Sequence, residues 1–282
     1  MIIRMLLWLR KTMTKVKKKK SRNWLLTVVA LIIFYTAVLL IGSPFIKSSI
    51  INYRSYSYSY MVNSDLPKVI PQIESISPPT FEDAIKSKEP VSEGVIGEVI
   101  MDRIGVNLPI FVGVTNQNLL FGTATLYPER DPLIDNIVIL GHHLGYQGQL
   151  FSPLLQAVKG DEVEMRYLGE VYKYQVTTTA IIKENNLSVL ENTTDDKGVI
   201  TLVTCDVPTE TDQRFIVKAK LMTTTNKNIK NIEGTTVKSD NENQISQSIV
   251  QKKVVDWHQY LPIIIILISL IVGTPLLIRL SK

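Results

Sequence analysis

The strongest constraint on the fold is a succession of short strand-like runs between residues 94 and 222. Apolar residues in these runs often alternate with polar ones, and Gly, Pro, Asn and Asp separate one run from the next. Such alternation is typical of half-buried β-strands. Most neighbouring runs have no helix of about ten residues or more between them. Seven or eight strands in so short a stretch predict an all-β barrel or sandwich.

An apolar segment near the N-terminus limits the part of the chain that can fold in water. It covers residues 23–42 and follows a basic tail, residues 1–22, with eight Lys or Arg and no acid between Arg10 and Arg22. About 20 uncharged apolar residues can cross a bilayer as a helix, and the basic residues beside such a helix tend to stay cytoplasmic. We therefore expect a transmembrane helix after a cytoplasmic tail, and no nucleic-acid partner. A cleaved signal peptide is the alternative.

A second apolar segment, residues 257–279, lies near the C-terminus. Trp257 and Tyr260 precede its most apolar part, as interfacial aromatic residues often do, and Arg279 and Lys282 follow it. We expect a second transmembrane helix with a short cytoplasmic tail, residues 280–282. A lipid-anchor signal that is removed is the alternative. Both termini would then be cytoplasmic and the folded residues between the two helices extracellular, at the cell membrane.

Two further segments read as linkers. Residues 43–93 are expected to form an extracellular stalk, which includes the alternating Ser and Tyr of residues 55–60 and a short helix after a Thr80 cap. Residues 223–256 are rich in Thr, Asn, Lys, Ser and Gln with few large apolar side chains, and such a composition predicts a flexible polar linker. Residues 94–222 remain as the folded domain.

The chemistry is suggested by one thiol, one imidazole and one guanidinium beside strand-like runs. Cys205, the only cysteine, ends the run at residues 201–205; His142 follows the apolar run at 137–140; and Arg214 begins the run at 214–217. A thiolate attacks carbonyl carbons, and a histidine can stabilise it and later protonate a leaving amine. Arginine is a poor base but a strong donor to an oxyanion. The alternative is a buried, structural cysteine that is not reactive.

The positions of these residues favour a common site. The eight residues between Cys205 and Arg214 suit a loop joining neighbouring antiparallel strands, and His142 also sits where a strand ends. His143 competes with His142, because adjacent strand residues point to opposite faces and the preceding run is apolar on both. We expect His143 to be structural or solvated. The sequence shows neither a metal-ligand cluster nor a phosphate-binding glycine loop.

These segments resemble those of the sortase family. Residues 201–205 read Thr-Leu-Val-Thr-Cys, like the TLxTC signature, and residues 140–142 and 214–217 resemble the segments that carry the family's histidine and arginine. The resemblance extends over residues 94–222, including 107–111 and 150–154. It implies a closed eight-stranded β-barrel with short helices, and it assigns the family's catalytic residues to His142, Cys205 and Arg214.

The resemblance also implies a reaction at the outer face of a Gram-positive membrane. Cys205 would cleave an LPxTG-type sorting signal between Thr and Gly, form a thioacyl enzyme, and pass the surface protein to the amine of a lipid II-like cell-wall precursor. Four residues are candidates for substrate binding: Thr204, and Leu187, Val189 and Leu190 in the 184–198 loop that corresponds to the family's specificity loop.

No cofactor is expected, although some class A sortases use calcium. The candidate calcium ligands are the acids near the specificity loop, Glu184, Glu191, Asp195 and Asp196. We expect these acids to be solvated loop residues instead.

The subclass is ambiguous in the sequence. The core resembles class A sortases, whereas a C-terminal span is typical of pilin-polymerising class C enzymes. Those enzymes usually carry a lid with an Asp-Pro-aromatic motif ahead of the barrel, and the only Asp-Pro here, at Asp131, is followed by Leu133. We expect a class A enzyme. A class C-like enzyme, a membrane-bound cysteine protease and a non-catalytic scaffold barrel with an inert Cys205 are the alternatives.

Overall fold

The computed structural model describes residues 2–86, 89–90, 94–145, 148–192, 197–225 and 261–280. The chain divides into two compact units, one formed by Lys47–Gln259 and the other by Met1–Ile46 with Tyr260–Lys282. Most of the expected polar linker at 223–256 lies outside the described residues.

Eight strands form a closed barrel within the first unit. They are β1 (Val95–Met101), β2 (Val106–Val112), β3 (Thr123–Thr125), β4 (Asn136–Gly141), β5 (Glu162–Tyr167), β6 (Glu170–Lys183), β7 (Val199–Cys205) and β8 (Gln213–Thr225). Around the barrel they follow the order β1-β2-β3-β4-β7-β8-β6-β5 and return to β1. The pairs β2–β3 and β4–β7 are parallel and the other pairs are antiparallel. The closed barrel confirms the expected fold.

Helices and turns connect the strands. The α-helices are α1 (Ile2–Ser57), α2 (Phe81–Lys86), α3 (Asn116–Leu119) and α4 (Leu261–Leu280), and 3-10 turns occupy Asp102–Ile104, Ser152–Gln156 and Leu187–Leu190. Thr80 caps α2 reciprocally, because its hydroxyl accepts from the Asp83 backbone N–H and its own N–H donates to the Asp83 carboxylate. This pattern satisfies two backbone donors that a helix start would otherwise leave unpaired.

The interior of the barrel is filled by large apolar side chains from every part of the sheet. The fully buried ones include Phe111, Ile137, Ile139, Tyr167 and Tyr174. Burying such side chains removes apolar surface from water at about 25 cal/mol per Å², which is the main term that favours the closed barrel. The barrel therefore supplies a rigid rim on which strand ends hold side chains in fixed positions.

Part of the segment expected to be a stalk contacts the barrel in the structure. The ring of Tyr58 packs against Phe121 with centroids 5.4 Å apart, and the Tyr60 hydroxyl donates to the buried Glu98 carboxylate at 2.9 Å. Val62 forms a parallel bridge with Val95 at the start of β1. The alternating Ser and Tyr thus contribute aromatic and hydrogen-bonding contacts to the folded unit, a use that their composition alone does not reveal.

The second unit consists of the apolar part of α1 and α4. By length and composition, one helix in the described part of the chain is able to cross a membrane, and it covers Trp24–Ser57 of α1. The apolar stretch of α4, Ile263–Leu276, is shorter. The length and composition of α1 suit the expected N-terminal anchor, while membrane anchoring and the second span remain predictions.

Candidate active site

Three strand ends at one rim of the barrel bring the candidate residues together. β4 and β7 run parallel with Leu140 opposite Val203, so His142 and Cys205 each lie two residues beyond this pair. β7 and β8 run antiparallel, and Cys205 pairs directly with Arg214. Side chains of directly opposed residues project to the same face of a sheet. The strand register therefore places all three residues at one end of three adjacent strands.

A cleft of about 780 Å³ opens at this rim. Cys205, His142 and Arg214 all line it. Apolar and polar side chains share the rest of the lining, and they include Leu119, Leu140, Val203, Thr204, Glu184 and Asp212. A ligand in the cleft can thus reach a thiol, an imidazole and a guanidinium at once.

At neutral pH the thiol of Cys205 is mostly protonated. Burial raises the pKa of the Cys205 thiol above its ordinary value, because a thiolate is disfavoured away from water. The positive charge of Arg214 opposes this effect, and the carboxylates of Asp206 and Glu184 add to it. Of these three charged side chains, Arg214 is the one that favours the thiolate.

His142 is buried, with only 5% of its surface exposed. Burial, with a smaller contribution from the positive charge of Lys47, lowers the pKa of its imidazole to about 4, and the carboxylate of Asp83 opposes this shift. The imidazole is consequently neutral at neutral pH. Neutral thiol and neutral imidazole together make the resting state of the site, and the ionised pair is a minor state.

The neighbours of His142 and Cys205 tie the two strand ends together. The hydroxyl of Thr204 donates to the carbonyl of Gly141 at 2.8 Å, and Thr204 is buried. His143 Nδ1 lies 3.1 Å from the carbonyl oxygen of Cys205. Burial lowers the pKa of His143, while the contact with that carbonyl and the charge of Asp206 raise it. The structure thus places His142 in the cleft and His143 on the backbone of β7.

The guanidinium of Arg214 is held in place by three acceptors. Its Nη2 donates to the Glu184 carboxylate at 2.6 Å, and its Nη1 donates to the carbonyls of Thr211 at 2.8 Å and Gln213 at 2.9 Å. Glu184 follows the end of β6, where its backbone N–H donates to the Asp212 carbonyl. Sequence reasoning considered Glu184 only as a calcium ligand, because no local pattern shows that β6 pairs with β8.

A segment that precedes the barrel also lines the cleft. Residues 74–79, called the cover segment below, contribute Ser75, Ile76 and Pro78 to the cleft that contains Cys205. The same segment contributes to a smaller pocket of about 190 Å³ beside His142. Sequence reasoning placed these residues in a stalk, because they show no periodic pattern.

Hydrogen bonds hold the cover segment to α3. The Asn116 side chain donates to the Ser75 carbonyl at 3.0 Å and accepts from the Ser77 backbone N–H at 3.0 Å. Its backbone N–H donates to the Glu74 carboxylate at 2.9 Å. Lys47 Nζ donates to the Pro79 carbonyl at 2.9 Å. One asparagine therefore makes most of the contacts that fix this segment over the site.

The predicted substrate-binding residues occupy different surroundings. Thr204 lines the cleft. Leu187, Val189 and Leu190 lie in the Leu187–Leu190 turn, where Val189 and Leu190 pack against the buried cluster of Val138, Val203 and Ile216 and Leu187 is exposed. None of the three is among the described residues that line the cleft.

The acids considered for calcium do not gather in the described part of the chain. Glu184 is paired with Arg214, Glu191 is exposed, and Asp195 and Asp196 lie outside the described residues. Among the residues with described positions, no three His, Cys, Asp or Glu side chains are grouped to hold a metal ion.

Comparison with known proteins assigns the barrel. Residues 99–222 match the sortase domain. Sortase A of Listeria monocytogenes is 34% identical over 201 residues, which cover 68% of this chain and 90% of that protein. Sortase A of Bacillus anthracis is 26% identical over 214 residues, which cover 72% of this chain and 98% of that protein.

The chain is also similar to a solved sortase structure. The crystal structure of L. monocytogenes sortase A shares 38% identity and covers 46% of this chain and 88% of that chain, with a TM-score of 0.44. The similarity to the Listeria protein spans nearly that whole protein, and it supports a class A core. The chain belongs to the sortase family of cysteine transpeptidases.

Proposed function

We propose that this sortase is a membrane-anchored transpeptidase that cleaves LPxTG-type sorting signals between Thr and Gly and joins the released carboxyl end to a cell-wall amine. The observation that supports this most directly is the shared cleft of Cys205, His142 and Arg214. Acyl transfer needs a nucleophile, an acid–base group and an oxyanion donor, and these three residues can supply them in that order.

In the first half-reaction the thiol forms a bond to the carbonyl carbon of the substrate threonine. The Cys205 sulfur attacks as the thiolate, and the carbonyl oxygen becomes an oxyanion that the Arg214 guanidinium stabilises. The C–N bond to glycine then breaks, and His142, as imidazolium, donates its proton to the leaving amine. The products are a thioacyl enzyme, a neutral imidazole and a free amino-terminal glycine.

The second half-reaction reverses these roles. An acceptor amine attacks the thioacyl carbon, neutral His142 takes up the amine proton, and the C–S bond breaks to return Cys205 as a thiolate. A new peptide bond joins the surface protein to the acceptor. A lipid II-like precursor at the outer membrane face supplies such an amine, in keeping with an extracellular barrel and both chain ends in the cytoplasm of a Gram-positive cell.

The test uses the full chain in detergent micelles with an LPxTG peptide and a triglycine acceptor, and it reads the products by mass spectrometry. We expect a ligated product and a thioacyl adduct at Cys205, both lost in Cys205→Ala. His142→Ala should lower ligation by about 100-fold or more, the scale of general acid–base catalysis. His143→Ala is the matched control and should retain most of the activity.

Each alternative gives a different product pattern. Cleavage without ligation at saturating triglycine indicates a cysteine protease. Preferential ligation to a lysine side chain of a pilin-like peptide indicates a class C-like enzyme. Binding that survives Cys205→Ala with no adduct in the parent chain indicates a scaffold barrel.

A further inference from the structure

Each of the two apolar helices contains a single glycine, and each glycine faces the other helix. Gly42 is the glycine of α1 and Gly273 that of α4. A Cβ atom on Gly42 would lie 2.8 Å from Ile266 Cδ1, and one on Gly273 would lie 2.7 Å from Phe34 Cζ. A larger residue at either position would therefore require the side chain of Ile266 or Phe34 to move. Small residues at such contacts let membrane helices approach closely.

A hydrogen bond joins the same faces. The Tyr35 hydroxyl lies 2.6 Å from Thr274 Oγ1. The Thr274 hydroxyl donates to the Leu270 carbonyl of its own helix at 2.6 Å, so its proton is already used and Tyr35 is the donor to Thr274. In hydrocarbon a hydroxyl finds no water, so an interhelical hydrogen bond of this kind stabilises the helix pair.

The contacts share one antiparallel register. Phe34 meets Gly273, and Gly42 meets Ile266. A step of eight residues forward along α1 therefore corresponds to seven residues backward along α4, or roughly 12 Å and 10 Å along the two axes at 1.5 Å per residue. The helices thus lie side by side over at least two turns.

We propose that α1 and α4 form an intramolecular antiparallel pair within the membrane, in which the face of Phe34, Tyr35 and Gly42 is the docking surface for the C-terminal helix. This inference rests on the proposed membrane anchoring. The partner of the C-terminal apolar segment is then the face of α1 on which Gly42 meets Ile266 and the Tyr35 hydroxyl meets Thr274. The apolar stretch of α4, Ile263–Leu276, rises about 21 Å, which is most of the roughly 30 Å hydrocarbon core of a bilayer.

Disulfide trapping tests the pair in membranes that contain the full chain with Cys205→Ala, so that no native thiol remains. The variant Gly42→Cys/Ile266→Cys is oxidised, and a protease site inserted into the polar segment 226–256 is then cut. We expect the two fragments to stay joined at the mass of one chain on a non-reducing gel. The matched control is Leu40→Cys/Ile266→Cys, because Leu40 lies two positions away and is 71% exposed.

A second comparison does not depend on the efficiency of one disulfide. Gly273→Leu places a side chain against Phe34 and should lower the yield at the Gly42/Ile266 pair by about fivefold or more, a change equal to about 1 kcal/mol. Val272→Leu, at a position 59% exposed, should leave the yield unchanged. Three results would contradict the helix pair. They are cross-linked bands of dimer mass only, a disulfide yield no higher than that of the Leu40→Cys control, and equal effects of Gly273→Leu and Val272→Leu on the yield.

The peptide ligation assay keeps this inference separate from the proposed function. Chains with native Cys205 that ligate LPxTG peptide while the cysteine pair fails to trap would contradict the helix pair alone. Efficient trapping in chains that do not ligate would support the helix pair and contradict the transpeptidase.

Discussion

At the scale of single residues, reactivity depends on which charges surround two buried groups. Burial raises the pKa of Cys205 and lowers that of His142, so both effects favour the neutral pair. Arg214 is paired with Glu184, yet its charge still lowers the pKa of the Cys205 thiol. The guanidinium therefore has two separable effects, one on the thiol before reaction and one on the oxyanion during it.

Replacing Arg214 should separate these two effects. Arg214→Ala removes the charge that favours the thiolate, so the pKa of Cys205 should rise and the pH midpoint for alkylation by iodoacetamide should move up. Arg214→Lys should keep the midpoint near that of the parent but lower peptide ligation, because lysine lacks the planar fork of donors.

The control for this experiment is Arg166→Ala. Arg166 lies on β5, where it pairs with Glu98 at 3.2 Å, and it does not line the cleft. An equal shift of the midpoint in both alanine variants would show that net charge, and not the position of Arg214, sets the reactivity of the thiol.

Thr204 should prove important to the stability of the rim. Thr204→Val keeps the shape of the side chain but leaves the buried Gly141 carbonyl without this donor, which should cost about 1–3 kcal/mol in urea unfolding of the unit Lys47–Gln259. Thr177→Val removes an exposed bond to the Lys218 carbonyl and should cost less than about 0.5 kcal/mol. Similar costs for the two variants would refute a special role for the buried bond.

At the scale of elements, strands follow from local pattern but their partners do not. β5 alternates between exposed or half-buried and buried residues, so its period of two is visible in the sequence. The parallel pairing of β4 with β7 joins residues about 60 positions apart and depends on closure of the whole barrel. Because that register places His142 and Cys205 together, sequence parity could not choose between His142 and His143.

The cover segment illustrates the same limit. Its contacts with Asn116 join residues about 40 positions apart, and its own sequence of small and polar residues with two prolines reads as a linker. The Thr80–Asp83 cap next to it is local, and the sequence predicts Thr80 as that cap. Local signals thus indicate where α2 begins, but not that the residues before it lie over the catalytic cleft.

Loosening the cover segment should open the cleft. Asn116→Ala removes the side-chain bonds to Ser75, Ser77 and Glu74, each worth about 0.5 kcal/mol at an exposed site, so the open state should gain up to about tenfold in population. We expect faster alkylation of Cys205 at fixed pH and a lower KM for peptide with kcat little changed, because the substrate no longer has to displace the segment.

The control is Asn107→Ala, at an exposed position on β2. Hydrogen exchange supplies an independent measurement, since residues 74–79 should exchange faster in Asn116→Ala than in the control. If exchange increases while alkylation and KM stay unchanged, the cover segment does not limit access to the thiol.

At the scale of the whole molecule, folding and the protonation of His142 are coupled. The folded chain encloses the imidazole between the barrel rim and a pocket lined by Pro79 and Asp83, and its pKa falls from the ordinary 6.5 to about 4. Between these pH values the unfolded chain binds a proton that the folded chain does not. Stability from this group is therefore complete above about pH 6.5 and is lost as the pH falls towards 4.

Urea unfolding of the unit Lys47–Gln259 at several pH values should show this coupling. Relative to His142→Gln, which stays neutral, the parent should lose about 1–3 kcal/mol of unfolding free energy between pH 7 and pH 4.5. Asp83, whose own pKa is lowered by its bonds to Thr80, stays ionised over this range and should reduce the loss. His143→Gln should differ less from the parent, because His143 is only partly buried. If the parent lost no more unfolding free energy than His142→Gln between pH 7 and pH 4.5, His142 would reach solvent in the folded chain, and the cover segment would not close the site.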